Sequence, residues 1–95
     1  NNMEKVIIRT EKAGVFFCEI KERNGQEAII TNARRLWYWD GAASLSQLAV
    51  EGVKKPQNCK FTVTVNEMTV LGVIEIIPCT EAAIESINNV SIWRS

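Results

Sequence analysis

The sequence predicts an α+β fold, a mainly antiparallel β-sheet with two short helices and an extended C-terminal arm. Three observations carry that expectation. Residues 6–10 and 15–20 are rich in branched and aromatic side chains, the composition favoured in strands. Residues 61–65 read Phe, Thr, Val, Thr, Val, a period of two that suits a half-buried strand. Two further stretches place apolar residues at helical spacing behind a capping residue, the pattern of short amphipathic helices.

The elements follow in order. Val6, Ile7 and Ile8 open the first strand, and a polar break containing Gly14 separates it from Val15, Phe16, Phe17, Cys18 and Ile20. Asn24-Gly25 predicts a type I′ hairpin, because both residues tolerate positive φ. The returning strand begins at Glu27 and reaches Thr31 or runs on to Trp39. Leu45, Leu48 and Ala49 then fall at helical spacing; Ser44 with Gln47 forms a capping box, or Asp40 caps a slightly longer helix. Gly52 suits the end of that helix. Residues 54–58 form a polar loop containing Pro56, and after the alternating strand Asn66-Glu67 is expected to turn the chain. Residues 70–77 are apolar on both faces except for Glu75, which predicts a central strand covered on both sides or at a subunit contact. A carboxylate buried there needs a partner such as Arg9, Arg35 or a neighbouring subunit, unless it faces solvent at an edge. Pro78 ends the strand, and Thr80 caps a helix carrying Ala83, Ile84 and Ile87 on one face. Asn88-Asn89 stops it, leaving residues 90–95 as an arm.

Ninety-five residues make one domain, residues 1–95. So short a chain buries only about 60 to 65% of its unfolded surface, so self-association into a homo-oligomer is expected to help. Eleven basic and eleven acidic residues balance, which disfavours general binding to nucleic acid or a membrane surface. No apolar run reaches membrane-spanning length. Met3 reads as the start, with Asn1 and Asn2 set aside, and the opening residues do not read as a signal peptide. Histidine is absent, which excludes Ser-His and Cys-His catalysis, and no acid pair with suitable spacing stands out. Cys18, Cys59 and Cys79 are widely spaced and unpaired in motif, so they read as small core hydrophobes of a reduced cytoplasmic protein rather than as metal ligands. No enzyme, metal or cofactor is expected.

The chemistry concentrates in residues 32–47. Arg34, Arg35, Trp37, Tyr38 and Trp39 precede the small-residue turn Gly41, Ala42, Ala43 and the capped helix start at Ser44, Ser46 and Gln47. On a regular strand Arg35, Trp37 and Trp39 share one face and Arg34, Leu36 and Tyr38 the other. Indoles stack on bases, guanidinium groups grip phosphate through paired donors, and a helix N-terminus favours an anion. These residues therefore form the candidate site for a small phosphorylated nucleotide. Asp40 competes for the same helix donors or recognises a ribose hydroxyl or base amine. The alternative for each aromatic is packing at the rim of a small core, with arginine covering the rings.

The string NARRLWYWDGAASLSQLA at residues 32–49 resembles the signature of a family of small phage and prophage proteins carrying a domain of unknown function. Residues 6–10, 13–16, 58–61 and 75–80 also match it, so the resemblance covers nearly the whole chain; members often carry Ser in place of Asp40. The resemblance brings no activity, but it implies a phage protein in the cytoplasm of an infected bacterium. Small phage proteins of this kind include anti-defence sponges that sequester nucleotide signals. The leading expectation is such a non-enzymatic, homo-oligomeric binder of a phosphorylated nucleotide or cyclic-nucleotide immune signal. A protein-interaction module that inhibits a host protein through Trp37, Tyr38, Trp39 and Arg35 is the second. An accessory protein for single-stranded nucleic acid is the third.

Overall fold

Backbone hydrogen bonding joins five strands into one antiparallel sheet in the computed structural model, which describes residues 4–94. The expected start at Met3 lies outside the described residues. The elements are β1 (Lys5–Thr10), β2 (Val15–Asn24), β3 (Glu27–Tyr38), α1 (Leu45–Glu51), a 3₁₀ turn (Pro56–Asn58), β4 (Lys60–Val70), β5 (Val73–Pro78) and α2 (Glu81–Asn88). The strand order is β4-β3-β2-β1-β5, so the fold is α+β as the sequence predicts. Among the described residues no helix is long and apolar enough to cross a membrane.

The local signals explain most boundaries. Gly25 and Gln26 are the two turn residues of the β2–β3 hairpin, flanked by the Asn24–Glu27 pair. Only Gly25, at φ 63°, has positive φ there, so the turn follows the type II′ pattern rather than the expected type I′. Ser44 caps α1 by accepting from the Gln47 amide at 3.1 Å, and Thr80 caps α2 by accepting from the Ala83 amide at 3.1 Å. The arm docks on the same molecule: Ile92 bridges Phe61 in parallel, and the Trp93 amide donates to the Phe61 carbonyl at 2.8 Å.

Two expectations change. β4 continues through Asn66-Glu67, and the chain turns instead at Leu71-Gly72, where Gly72 takes φ 77°. The apolar run at 70–77 is therefore cut in two, and its second half is β5, an edge strand rather than a central one. Glu75 lies on that edge, partnered by Arg9 at 3.0 Å, with both side chains substantially exposed; a pair of this kind contributes little to stability.

β4 and β5 occupy opposite edges yet are joined by only two residues. Three peptide steps span at most about 11 Å, so the sheet coils until its edges approach at that end. Two hydrogen bonds hold the closure: the Val73 amide donates to Gln26 O at 2.9 Å and the Glu11 amide to Gly72 O at 2.9 Å. Coiling gives the sheet two covered faces. On the outer face Ile7, Phe17, Leu36 and Phe61 pack with Leu48, Ala49 and Ile87 of the helices. On the concave face Val6, Ile8, Phe16, Cys18, Ala28, Ile30, Ala33, Val70 and Val73 pack among themselves.

Cys18 and Cys59 are buried, as expected of core hydrophobes, and Cys79 is half-buried. Burial pushes the Cys18 thiol up to about 12 and the Cys79 thiol up to about 11. A thiol whose pKa rises on folding stabilises the fold fully below its unfolded value and loses that contribution as pH climbs toward the folded one. The unfolding free energy read from urea denaturation should hold to about pH 8.5 and then fall, by at most about 1.4 kcal/mol per pH unit for each thiol. Cys18→Ala should flatten the fall; an unchanged slope in that variant would remove Cys18 as its source.

Candidate functional site

The placement of the candidate residues is decided at one backbone position. Ala28 and Ile30 face the concave core, and plain alternation would send Asn32, Arg34 and Leu36 after them. At Asn32 the backbone adopts φ 49°, a conformation asparagine tolerates better than most residues. Its side chain is anchored to Glu19 Oε1 at 3.1 Å. The face then inverts: Ala33 joins the concave core, while Leu36 packs under the helices.

Arg34 turns with Leu36 and is 6% exposed. Its guanidinium donates to three backbone carbonyls, from Nε to Thr62 at 2.9 Å, from Nη1 to Ile87 at 3.0 Å and from Nη2 to Val90 at 2.7 Å. Burial lowers its pKa from the ordinary arginine value, but the group stays charged at neutral pH. Arg34 is thus a tie between the end of α2 and the sheet, and the phosphate role expected for it is corrected: the side chain is 6% exposed and three of its five N–H donors are spent on the fold.

Arg35 emerges on the concave side with its guanidinium carbon 4.8 Å from the centre of the Phe16 ring. Trp39 does not accompany it, because it packs half-buried against the helix-side core. Register shifts between Arg34 and Leu36 and between Leu36 and Tyr38 break the single cationic and aromatic face expected of a regular strand. Trp37 is 63% exposed and Tyr38 51%. The Trp37 ring lies parallel to that of Trp93 in the arm, with centroids 6.4 Å apart and 8° between the planes.

The turn into α1 is closed rather than open. Gly41, at φ 92°, lies so near the backbone of Lys54 and Lys55 that a Cβ would come within 2.6 Å of both amide nitrogens. The backbone at Gly41, expected to line the ligand site, is therefore covered by the chain itself. Ala42 packs against the core, and the Ala43 amide donates to Gln47 Oε1 at 2.7 Å. Ser44 accepts from the Gln47 amide while Gln47 reaches back one residue beyond the cap, a variant of the expected capping box that occupies the Ala43 amide. Asp40 accepts from Asn58 Nδ2 at 3.0 Å and so ties the loop instead of capping the helix. Ser46 is exposed. An anion site at this helix start is not what the geometry builds.

What the structure does assemble is a stacked indole pair beside a recess. Lys60 places its Nζ 5.6 Å from the centre of the Trp93 ring. The other boundary of Trp93 is a hollow of about 500 Å³ lined by Pro56, Gln57, Cys59, Asn89, Ser91 and Ile92. Neither Trp93 nor Lys60 stood among the candidate residues of the sequence; the aromatic-basic pair Trp93-Arg94 in the arm was the signal available. A family model for a domain of unknown function, DUF6948, matches residues 3–87. The chain belongs to this family. No curated protein and no solved structure matches it. The DUF6948 match ends before Trp93, so the recess joins a segment inside the matched region to one beyond it.

Proposed function

We propose that this chain is a non-enzymatic binding protein for a small phosphorylated nucleotide, seated on the Trp37–Trp93 pair instead of at the start of α1. The phage setting implied by the 32–49 signature makes it an anti-defence sponge that withholds a nucleotide signal in an infected bacterium. Pairing of two copies belongs to the same proposal. The observation that carries the reading is the exposed parallel indole pair with a lysine ammonium over it. Stacking of one base on an aromatic platform contributes about 1 to 3 kcal/mol and accepts any base. Gln57, Asn89 and Ser91 supply planar amides and a hydroxyl to the recess, groups that can match the donors and acceptors of a base edge, and Lys60 supplies the charge for phosphate. The lack of histidine supports binding without turnover.

Thermal shift and calorimetry against cyclic and linear nucleotides test it. A nucleotide at about a hundred times its dissociation constant should add roughly 2.7 kcal/mol of stability, and heat denaturation should release it intact. Trp93→Ala should weaken binding by about tenfold or more while leaving the circular dichroism unchanged. Light scattering with and without nucleotide reads the pairing. A panel with no stabilising nucleotide, or a Trp93→Ala variant that binds as before, overturns the reading. The second reading is a protein-interaction module, favoured by the joint exposure of Trp37, Tyr38 and Trp93, residue types that anchor interfaces. A stoichiometric host protein lost in Trp37→Ala, with no nucleotide effect, would select it.

A further inference from the structure

We infer that the concave face holds a second ligand site, centred on Arg35, for a small amphiphilic monoanion of the medium-chain carboxylate class. The coiling that closes the sheet leaves a trough of about 740 Å³ on this face. Ala13, Met68, Val70 and Leu71 provide apolar walls, and Leu71, at the β4–β5 turn, is 66% exposed. Past Arg35 and Met68 the trough continues into a hollow of about 230 Å³ beside Ala33, Val63 and Val65. Val63 and Val65 are exposed, so an apolar chain lying there would remove both from water.

The charge in the trough sets the head group. Ion pairs among the described residues join Lys5 to Glu19, Arg9 to Glu75 and Lys21 to Glu67; Arg35 has no acidic partner. Its guanidinium lies over the fully buried Phe16 ring, which positions the donors without consuming them. Glu11 and Lys12 both line the trough and offset one another, leaving one uncompensated positive charge. That balance fits a single carboxylate, which guanidinium binds through paired hydrogen bonds. It does not fit a polyphosphate, whose several negative charges exceed the single uncompensated guanidinium, and the Phe16 ring face is already covered by Arg35.

Calorimetry with the carboxylates from hexanoate to dodecanoate tests the site. Affinity should rise about fourfold per added methylene. Arg35→Gln should cost about tenfold for each carboxylate and nothing for the alkanol of equal length; Leu71→Ser should weaken both. Arg35 and Leu71 are exposed, so the variants should melt as the parent does. Trp93→Ala should leave carboxylate binding unchanged, and a nucleotide should not displace dodecanoate, which separates this site from the one proposed above. Equal carboxylate binding by Arg35→Gln, no binding at millimolar ligand, or displacement by nucleotide overturns the inference. So does a dimer that Val63→Thr dissociates, because a second copy would then occupy the trough.

Discussion

Arg34→Met should lower the unfolding free energy by about 3 to 5 kcal/mol, read from urea denaturation at neutral pH. The side chain donates to the carbonyls of Thr62, Ile87 and Val90; hydrogen bonds from a charged donor contribute roughly 1.5 to 3 kcal/mol each, and the net loss falls below their sum because the freed carbonyls regain water and the buried charge is removed. Methionine keeps an unbranched apolar stem, so the loss is mainly that of the guanidinium, whose carbon lies 5.4 Å from the centre of the Phe61 ring. The Ile87 and Val90 carbonyls belong to the end of α2 and the residues after it. Without a donor they must open to water, and the arm bearing Trp93 loses its anchor. The same variant distinguishes a structural arginine from a phosphate-binding one. Near-parental stability with lost nucleotide binding would return Arg34 to the ligand site, and the account of its three carbonyls would fail.

Gly52→Ala should destabilise by about 3 kcal/mol. Gly52 closes α1 at φ 79° and ψ −155°, a region essentially confined to glycine. Its amide donates to Leu48 O at 3.0 Å, so the conformation is held from the helix side. An added Cβ would fall on the Cβ and Oγ of Ser86. Ser86 cannot retreat freely, because its hydroxyl accepts from the Val53 amide at 3.0 Å and donates to the Val53 carbonyl at 3.2 Å. Two costs thus combine, backbone strain and the separation of α1 from α2. Adding Ser86→Gly to Gly52→Ala should recover the steric part and leave the strain, a coupling that a double-mutant cycle measures. Parental stability in Gly52→Ala would contradict the close approach of the helices.

Neither effect follows from the sequence around it. Arg34 and Arg35 are adjacent and chemically identical, and nothing local distinguishes the buried tie from the exposed cation. The distinction comes from Asn32, whose φ of 49° inverts the face. Asparagine permits that conformation without demanding it, so the inversion depends on which alternative buries more of β3 against β2 and β4. Gly52 was legible as a helix stop, whereas the proximity of Ser86, 34 positions later in the chain, was not. The β4–β5 turn went unrecognised because Asn66-Glu67 has stronger turn character than Leu71-Gly72. Long-range pairing with β3 carried β4 past Asn66-Glu67.

By itself the sequence determined the class, the element order, the β2–β3 hairpin, the Thr80 cap and the arm, and it narrowed the first helix cap to Ser44 or Asp40. Each of these rests on contacts among residues a few positions apart, where propensity, period and capping act directly. Only the tertiary structure decided the strand order, the inverted face of β3, the closure of the α1 start and the meeting of Trp37 with Trp93. Those outcomes depend on burial between distant segments, and side-chain orientation on a strand reverses with a single bulged residue. The aromatic and cationic residues were therefore recognisable as unusual, but which of them share a surface was settled by packing.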